Sequence, residues 1–228
     1  MKTYKYQMHI HTNPCSRCGM MTPASICQAL YEGGYQGAVL TNHFLHGNTG
    51  IDRDLPWDKF IEAYERDYLE CKRAAEKYDL DILFGIEEVV EPGLEILCYG
   101  LTPEILYNNP ELGNWGVEAW SALMRKNGVV LIQAHPYREA GYIPNPGPLP
   151  LEYVDGIEVY NHCNSRPDMN EKAMHLAKEN PHLITVSGGD AHWVENVPFG
   201  GIVTRKRIRN EKMLAKILKN KQFEPILP

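Results

Sequence analysis

Two histidines near the start of the chain, His9 and His11, are separated by a single residue. They follow the alternating segment Tyr4–Met8, a pattern that is typical of a β-strand. Side chains two residues apart project from the same face of a strand, so both imidazoles would point into one space. Neutral imidazoles that converge are well suited to share a metal ion, although two surface histidines near a terminus would have the same spacing.

More ligand-type residues follow the apolar segments that predict later strands. They are imidazole, carboxylate and amide side chains where a strand would end: His43, Glu87, His135, Asn161, His162, Asp190 and His192. A single histidine after a strand is more often a hydrogen-bonded loop residue, and we interpret His46, His175 and His182 in that way. Ligand-type residues at the ends of five predicted strands would be an improbable coincidence. Nitrogen and oxygen ligands of this kind suit Zn, Mn or Fe.

The segments that must position these residues alternate between strands and helices. Strands are predicted at 4–8, 37–41, 81–86, 94–99, 129–134, 155–160, 183–187 and 201–204, and helices at 24–31, 57–78, 116–126, 168–179 and 210–220. Thr22-Pro23 predicts a helix start, and a loop is predicted through Pro103 and Gly113. The alternation indicates a parallel α/β architecture, although strand 94–99 could run antiparallel to its neighbour.

About seven or eight strands in a chain of this length favour a closed barrel over an open sheet. No GxGxxG sequence follows the first strand, which disfavours a dinucleotide-binding sheet. In α/β barrels the active site lies at the C-terminal ends of the strands, so ligand-type residues from distant parts of the sequence would meet there.

Composition limits the class of protein and its partners. The 228 residues suit one domain, 1–228, and 43% hydrophobic residues is ordinary for a soluble globular protein. A formal charge of −6 argues against extended nucleic acid, whereas a small anionic substrate is compatible if metal ions supply positive charge. We find no secretory signal and no apolar run of roughly 20 residues, so we expect a cytoplasmic protein without membrane contact and with mostly reduced thiols.

Six short motifs resemble, in order, those of the PHP (polymerase and histidinol phosphatase) superfamily of metal-dependent phosphoesterases. They are His9-Ile10-His11-Thr12, Thr41-Asn42-His43, Gly85-Ile86-Glu87, Gln133-Ala134-His135-Pro136, Gly156-Ile157-Glu158-Val159-Tyr160-Asn161 and Gly189-Asp190-Ala191-His192. The resemblance covers nearly the whole chain. It implies a distorted (β/α)7 barrel, similar to a TIM barrel, with two or three divalent metal ions (Zn, Mn or Fe).

The resemblance also implies roles for the matching residues. The HxH pair, Glu87 and Asp190 would hold one metal. Glu87 would bridge to a second metal that His135 also binds, and one carboxylate can share its two oxygens in this way. His43 and His192 would serve a third metal. Glu95 stands where many members have a histidine, and it could still ligate the second metal.

The chain departs from the family pattern close to these ligands. Gln7-Met8 precedes the HxH pair where the family usually has aspartate, and Asn42 replaces the aspartate of a TDH motif. The loop after the pair normally supplies another His or Asp for the third metal. Here it contains Cys15, Arg17 and Cys18, so either cysteine could bind as a soft ligand or Arg17 could contact phosphate directly.

The spacing of Cys15 and Cys18 alone is equally compatible with two ordinary loop thiols, since no second CxxC completes a four-thiolate site. Arg138, directly after His135-Pro136-Tyr137, is a second candidate phosphate clamp. Its alternative is a solvated loop arginine.

These features predict a metal-dependent phosphoric ester hydrolase with a small phosphorylated substrate. Metal-activated hydroxide at a di- or trinuclear site would attack phosphorus. His43 or His192 would assist proton transfer to the leaving alcohol where metal does not engage them. The alternatives left open are a histidinol phosphatase, a nuclease acting on oligonucleotide ends, an amidohydrolase-like enzyme acting on C–N bonds, and a degenerate, non-catalytic PHP domain.

Overall fold

A computed structural model describes residues 2–110, 112 and 116–228, and the loop position predicted at Gly113 lies outside these ranges. The described strands are β1 (Tyr4–Gln7), β2 (Gly37–Leu40), β3 (Asp81–Glu91), β4 (Leu94–Tyr99), β5 (Val130–Gln133), β6 (Gly156–Asn161), β7 (Ile184–Gly188), β8 (Ile202–Thr204) and β9 (Phe223–Pro225). The helices are α1 (Pro23–Glu32), α2 (Trp57–Glu76), α3 (Pro103–Tyr107), α4 (Val117–Lys126), α5 (Pro167–Glu179) and α6 (Glu211–Lys219). None of these helices combines the length and apolarity that crossing a membrane requires.

The strands form one mixed sheet in the order β7-β6-β5-β4-β3-β2-β1-β8-β9. Strand β4 is antiparallel to β3 and β5, and β8 is antiparallel to β1 and β9, whereas the other neighbours are parallel. A parallel bridge between Ile10 and Ala191 joins the segment after β1 to the segment after β7. The sheet therefore curls into a nearly closed barrel, which confirms the predicted α/β barrel of distorted TIM-like form.

Most predicted elements are present with ends that differ by about two residues or fewer, and Thr22 caps α1 as expected. Three details differ. Strand β3 continues to Glu91, because Gly93 (φ +76°) allows a tight turn that folds β4 back against it. Helix α3 replaces part of a predicted loop, and β9 follows α6 as an additional edge strand.

Three hydrophobic clusters of the described residues pack the elements around the barrel, and the smallest joins β6 to α5. The largest packs α1, α2 and α4 against the sheet, and it includes Ile10. The second joins strand residues such as Met8 and Leu83 to Leu214 of α6. Because neighbouring residues of an extended segment face opposite sides, the side chain of Ile10 anchors this segment while the histidines that flank it project the other way.

Candidate metal centre

The predicted ligands meet at the end of the barrel where the parallel strands terminate. A cavity of about 490 Å³ opens there, and its lining includes six of them: His43, Glu87, Glu95, His135, Asp190 and His192. The remaining two predicted ligands, His9 and His11, are fully buried and contact Glu87 and Asp190. The structure therefore brings all eight predicted ligands into one site, although their individual roles stay predictions.

Glu87 is the central carboxylate of this site. Its Oε1 lies 3.1 Å from His9 Nε2 and 3.3 Å from His135 Nε2. Its Oε2 lies 2.9 Å from His43 Nδ1 and 3.4 Å from His11 Nε2. Burial alone would raise the pKa of Glu87, but the neighbouring His9 and His43 outweigh it and hold the pKa well below its usual range. An ionised carboxylate with imidazoles on both oxygens suits a bridging ligand.

Asp190 completes the first predicted ligand set. Its Oδ1 lies 3.3 Å from His9 Nε2 and 3.2 Å from His11 Nε2, and its Oδ2 accepts a 2.6 Å bond from Arg138 Nη2. Burial would raise the pKa of Asp190, but His9 and Arg138 hold it well below its usual range. Asp190 (φ +48°) and His135 (φ +28°) have left-handed backbone, which is costly outside glycine and tends to occur at functional sites.

Several buried atoms in this site make no hydrogen bond of acceptable geometry. Within the described part of the chain they are His9 Nε2, His11 Nε2, His43 Nδ1 and Glu87 Oε2. Each unpaired buried polar atom costs about 1–3 kcal/mol, and a cation at their common focus would remove that cost. Candidate ligand atoms lie within 4.8 Å of one another in three groups, which are His9/His11/Asp190, His43/Glu87/Glu95 and His11/His43/His192. The donor set therefore fits divalent metal ions.

The surroundings of the HxH pair shift the pKa values of its two histidines in opposite directions. Burial would lower the pKa of His9, but Asp190, Glu87 and Glu158 outweigh it and raise the pKa well above its usual value. Burial, together with the nearby histidine rings, lowers the pKa of His11 well below its usual value. A metal ligates the neutral form of imidazole, so binding at His9 competes with its proton and depends on pH.

The Nδ1 atoms of both rings contact residues for which we predicted no role from the sequence. Glu158 Oε1 lies 3.1 Å from His9 Nδ1, and Ser16 Oγ lies 3.1 Å from His11 Nδ1. Glu158 Oε2 also accepts the backbone N–H of His135 at 3.0 Å. Such contacts fix which ring nitrogen faces a metal. Glu158 belongs to a matching motif, so its position in the sequence carried a signal, whereas Ser16 carried none.

The structure explains the departure at Asn42. Its Oδ1 accepts the backbone N–H of Thr12 at 2.7 Å and the Ser16 hydroxyl at 2.9 Å, and its Nδ2 donates to Asp67 Oδ2 at 3.0 Å. The Thr12 hydroxyl also bonds to Asp67. Asp67 lies on α2 and is buried, so it places a carboxylate beside the amide that replaces the family's aspartate.

The two arginines predicted to contact phosphate lie in different environments. Arg138 lines the cavity, but its guanidinium donates to Asp190, Asn161 and Asn164. In this position it orients Asp190. Arg17 is exposed and is absent from the described lining of the cavity. Phosphate contact by either arginine stays a prediction.

The two cysteines of the CxxC spacing also lie in different environments. Cys15 is buried in the largest hydrophobic cluster, where burial raises the pKa of its thiol well above the usual value. Cys18 lines the cavity, and its Sγ lies 3.1 Å from His192 Nε2. Burial would raise the pKa of Cys18, but His192 and His43 lower it to about 6.

His46 is a hydrogen-bonded loop residue, as interpreted from the sequence, and its loop also places it at the cavity. It lines the cavity, and its Nδ1 lies 2.7 Å from Oε1 of the buried Glu88. Its place just after the Thr41-Asn42-His43 motif was the one signal available in the sequence. His175 and His182 are exposed, as expected of residues outside the site.

No protein-family model matches the sequence, and no curated protein matches it significantly. Solved structures do resemble it. One is a two-domain protein from Bacteroides vulgatus that contains a predicted PHP-like metal-dependent phosphoesterase (TM-score 0.71, 16% identity, 99% of this chain and 65% of that chain). A second, from Bifidobacterium adolescentis, is assigned as a metal-dependent phosphoesterase (TM-score 0.56, 15% identity, 94% and 96%).

A third is the lesion-specific endonuclease PfuEndoQ from Pyrococcus furiosus (TM-score 0.63, 14% identity, 99% and 58%). This chain therefore spans about two thirds of the Bacteroides protein and somewhat over half of the endonuclease. At these identities the similarity establishes the fold. The chain has the PHP-type barrel that its motifs resemble.

Proposed function

We propose that this chain is a metal-dependent phosphoesterase that hydrolyses a small phosphorylated substrate. The observation that carries the proposal is the convergence of buried ligand atoms on Glu87, several of which have no hydrogen-bond partner among the described residues. The fold that the chain shares with the Bacteroides and Bifidobacterium proteins supports it.

The charge of the cavity supports a role for cations in binding an anion. Its described lining contains three carboxylates, Glu87, Glu95 and Asp190, and one arginine, Arg138. Arg138 already bonds to Asp190. The three carboxylates disfavour a phosphate at this lining, and two or three divalent ions would supply the positive charge that offsets them.

Divalent ions held here would supply Lewis acidity and lower the pKa of a water that attacks phosphorus. His9, His11, Glu87 and Asp190 would hold one ion, Glu87, Glu95 and His135 a second, and His43 and His192 a third. Glu158 and Ser16 keep the ring nitrogens of the HxH pair aimed at the centre. Arg138 holds Asp190 in its orientation.

The leaving alcohol needs a proton, and the cavity offers imidazoles for that step. His43 and His192 are candidates where metal does not engage them. His46 is a further candidate, because Glu88 Oε1 holds its Nδ1 at 2.7 Å in the wall of the cavity.

A nuclease acting on oligonucleotide ends is the second candidate, because PfuEndoQ has the same fold. A cavity of about 490 Å³ accommodates a small metabolite or one nucleotide. The net charge of −6 does not favour a long polyanion. These observations favour the small substrate.

Metal content and hydrolysis, measured on wild type and on Glu87→Gln, test the proposal. We expect two or three ions per wild-type chain by plasma mass spectrometry, and hydrolysis within a panel of phosphomonoesters, phosphodiesters and short oligonucleotides. The variant loses a bridging charge, so it should lose at least one ion and at least about 100-fold in rate, the upper end of losses for outer residues.

Glu91→Gln is the matched control, because Glu91 lies on the same strand, is exposed and is absent from the described lining of the cavity. It should retain both metal and rate. A wild-type chain loaded with Zn, Mn or Fe that hydrolyses nothing in the panel contradicts the proposal.

A further inference from the structure

The loop after β1 presents a thiol to the cavity beside two predicted ligands of the third metal. Cys18 Sγ lies 3.1 Å from His192 Nε2, and Cys18, His43 and His192 all line the cavity. The backbone N–H of Met20 donates to the His192 carbonyl at 2.9 Å, and that of Arg17 donates to the Asn48 carbonyl at 3.0 Å. The loop is therefore fastened on both sides of Cys18.

Two imidazole nitrogens near this thiol lack a hydrogen bond. His11 Nε2 and His43 Nδ1 are buried and make no hydrogen bond of acceptable geometry within the described chain, although Glu87 Oε2 lies 3.4 Å from the first and 2.9 Å from the second. The ring of His11 lies 4.3 Å from that of His192 and 4.5 Å from that of His43, measured between centroids. Three imidazoles packed this closely, with ligand atoms within 4.8 Å of one another, indicate a cation site independently of the cysteine.

The separation of sulfur and nitrogen also suits ligands of one ion. Zinc–sulfur and zinc–nitrogen bonds place two tetrahedral ligands roughly 3.5 Å apart. The observed 3.1 Å between Cys18 Sγ and His192 Nε2 differs from this by a few tenths of an ångström. Cys15 is excluded from such a role because its side chain packs in the hydrophobic core.

We propose that Cys18 is a metal ligand whose thiolate, with His43 and His192, forms a sulfur–nitrogen site for a thiophilic divalent ion. The inference rests on the proposed metal centre and deepens it. Thiolate favours Zn²⁺ over Mg²⁺ or Mn²⁺, which prefer oxygen ligands. The third position would then select its metal differently from the carboxylate-rich positions around Glu87.

Cobalt substitution tests the ligand directly, because a cobalt–thiolate bond produces a charge-transfer absorption band in the near ultraviolet. We expect the band in the Co²⁺-loaded wild type and its loss in Cys18→Ser. With Zn²⁺, Cys18→Ser should hold one ion fewer per chain than wild type. Cys18→His restores a ligand without sulfur, so it should recover the ion but not the band.

Cys27→Ser is the control thiol variant. Cys27 is buried in the largest hydrophobic cluster, is absent from the described lining of the cavity, and its Sγ donates to the Cys71 carbonyl at 3.6 Å, a bond that serine can also make. This variant should keep both the band and the full metal count. Circular dichroism of each variant verifies that it is folded before metal is added.

The outcomes separate the two proposals. A wild type that holds its metal ions but shows no cobalt–thiolate band overturns the role of Cys18 and leaves the phosphoesterase proposal standing. A folded Cys18→Ser variant with the wild-type zinc count does the same. A wild-type chain that binds no metal overturns both.

Discussion

Asp67 shows how a single buried residue supports the centre without touching a metal. Its hydrogen bonds come from neutral groups, the Thr12 hydroxyl and the Asn42 amide. Through these it fixes the segment that follows the HxH pair. Burial of the carboxylate, opposed in part by these hydrogen bonds, raises its pKa from an ordinary value of 3.8 to about 6.

The raised pKa of Asp67 predicts that stability falls as pH rises from about 4 to 6. In that range the unfolded chain has released the proton that the folded chain still binds, so the free energy of unfolding decreases with pH. A shift of about two units corresponds to about 3 kcal/mol. Asp67→Asn cannot titrate, so its stability relative to wild type should improve by up to that amount across this range.

Urea unfolding of metal-free wild type and Asp67→Asn, from pH 4 to 7, measures the difference. Asp58→Asn removes an exposed carboxylate from the same helix and serves as the control. Parallel pH curves for wild type and Asp67→Asn would show that the folded carboxyl titrates normally.

Adjacent strands approach each other closely where β6 begins. Gly156 pairs with Ile184 of β7, and a Cβ at Gly156 would lie 1.9 Å from the Ile184 carbonyl oxygen. Because that oxygen belongs to the backbone of a paired strand, it has little room to move. Strand β6 carries Glu158, and β7 leads to Asp190, so this contact also sets the spacing of groups in the metal centre.

Gly156→Ala should therefore destabilise the fold by overpacking, by about 2–3 kcal/mol. For a chain of this size such a loss lowers the melting temperature by roughly 5–10 °C. Thermal unfolding followed by circular dichroism measures the shift. Gly141→Ala is the matched control, because no described atom lies within 4 Å of a Cβ at that position. Equal melting temperatures for the two variants would refute the steric argument.

At the scale of the whole molecule, Gln7 joins the two sides of the barrel seam. Its Nε2 donates to the carbonyls of Val197 (2.8 Å) and Phe199 (2.9 Å), and its Oε1 accepts the N–H of Gly189 (2.8 Å). Gln7 is fully buried. These bonds lie beside the bridge between Ile10 and Ala191 that closes the sheet. Gln7, which departs from the family pattern, therefore stabilises the barrel seam.

Gln7→Leu should destabilise the protein by about 3 kcal/mol or more, since each polar group left buried and unpaired costs about 1–3 kcal/mol. It should also weaken metal binding, because the seam positions His9 relative to Asp190. Urea unfolding and metal titration measure the two effects. Gln28→Leu, at an exposed position of α1, controls for the change of residue type. A Gln7→Leu variant as stable as this control would contradict the role assigned to the seam.

The sequence by itself determined the α/β elements, the barrel and the set of candidate ligands. These follow from local properties: the alternation around His9 and His11, apolar segments of strand length, and polar residues where the segments end. Parallel strands place their C-terminal ends together. Because His135 and Asp190 each directly follow a predicted strand, their positions were enough to predict that they meet. The motif resemblance to PHP proteins rests on the same local features.

Only the tertiary structure decided which partners the remaining polar side chains contact. Asp67 has no predicted role in the sequence, yet it is buried against Asn42. Arg138 bonds to Asp190, and Cys18 faces His192 whereas Cys15 enters the core. Each outcome depends on contacts between residues that lie far apart in the chain. Residue type and spacing in the sequence do not indicate such contacts, because they form only in the folded barrel.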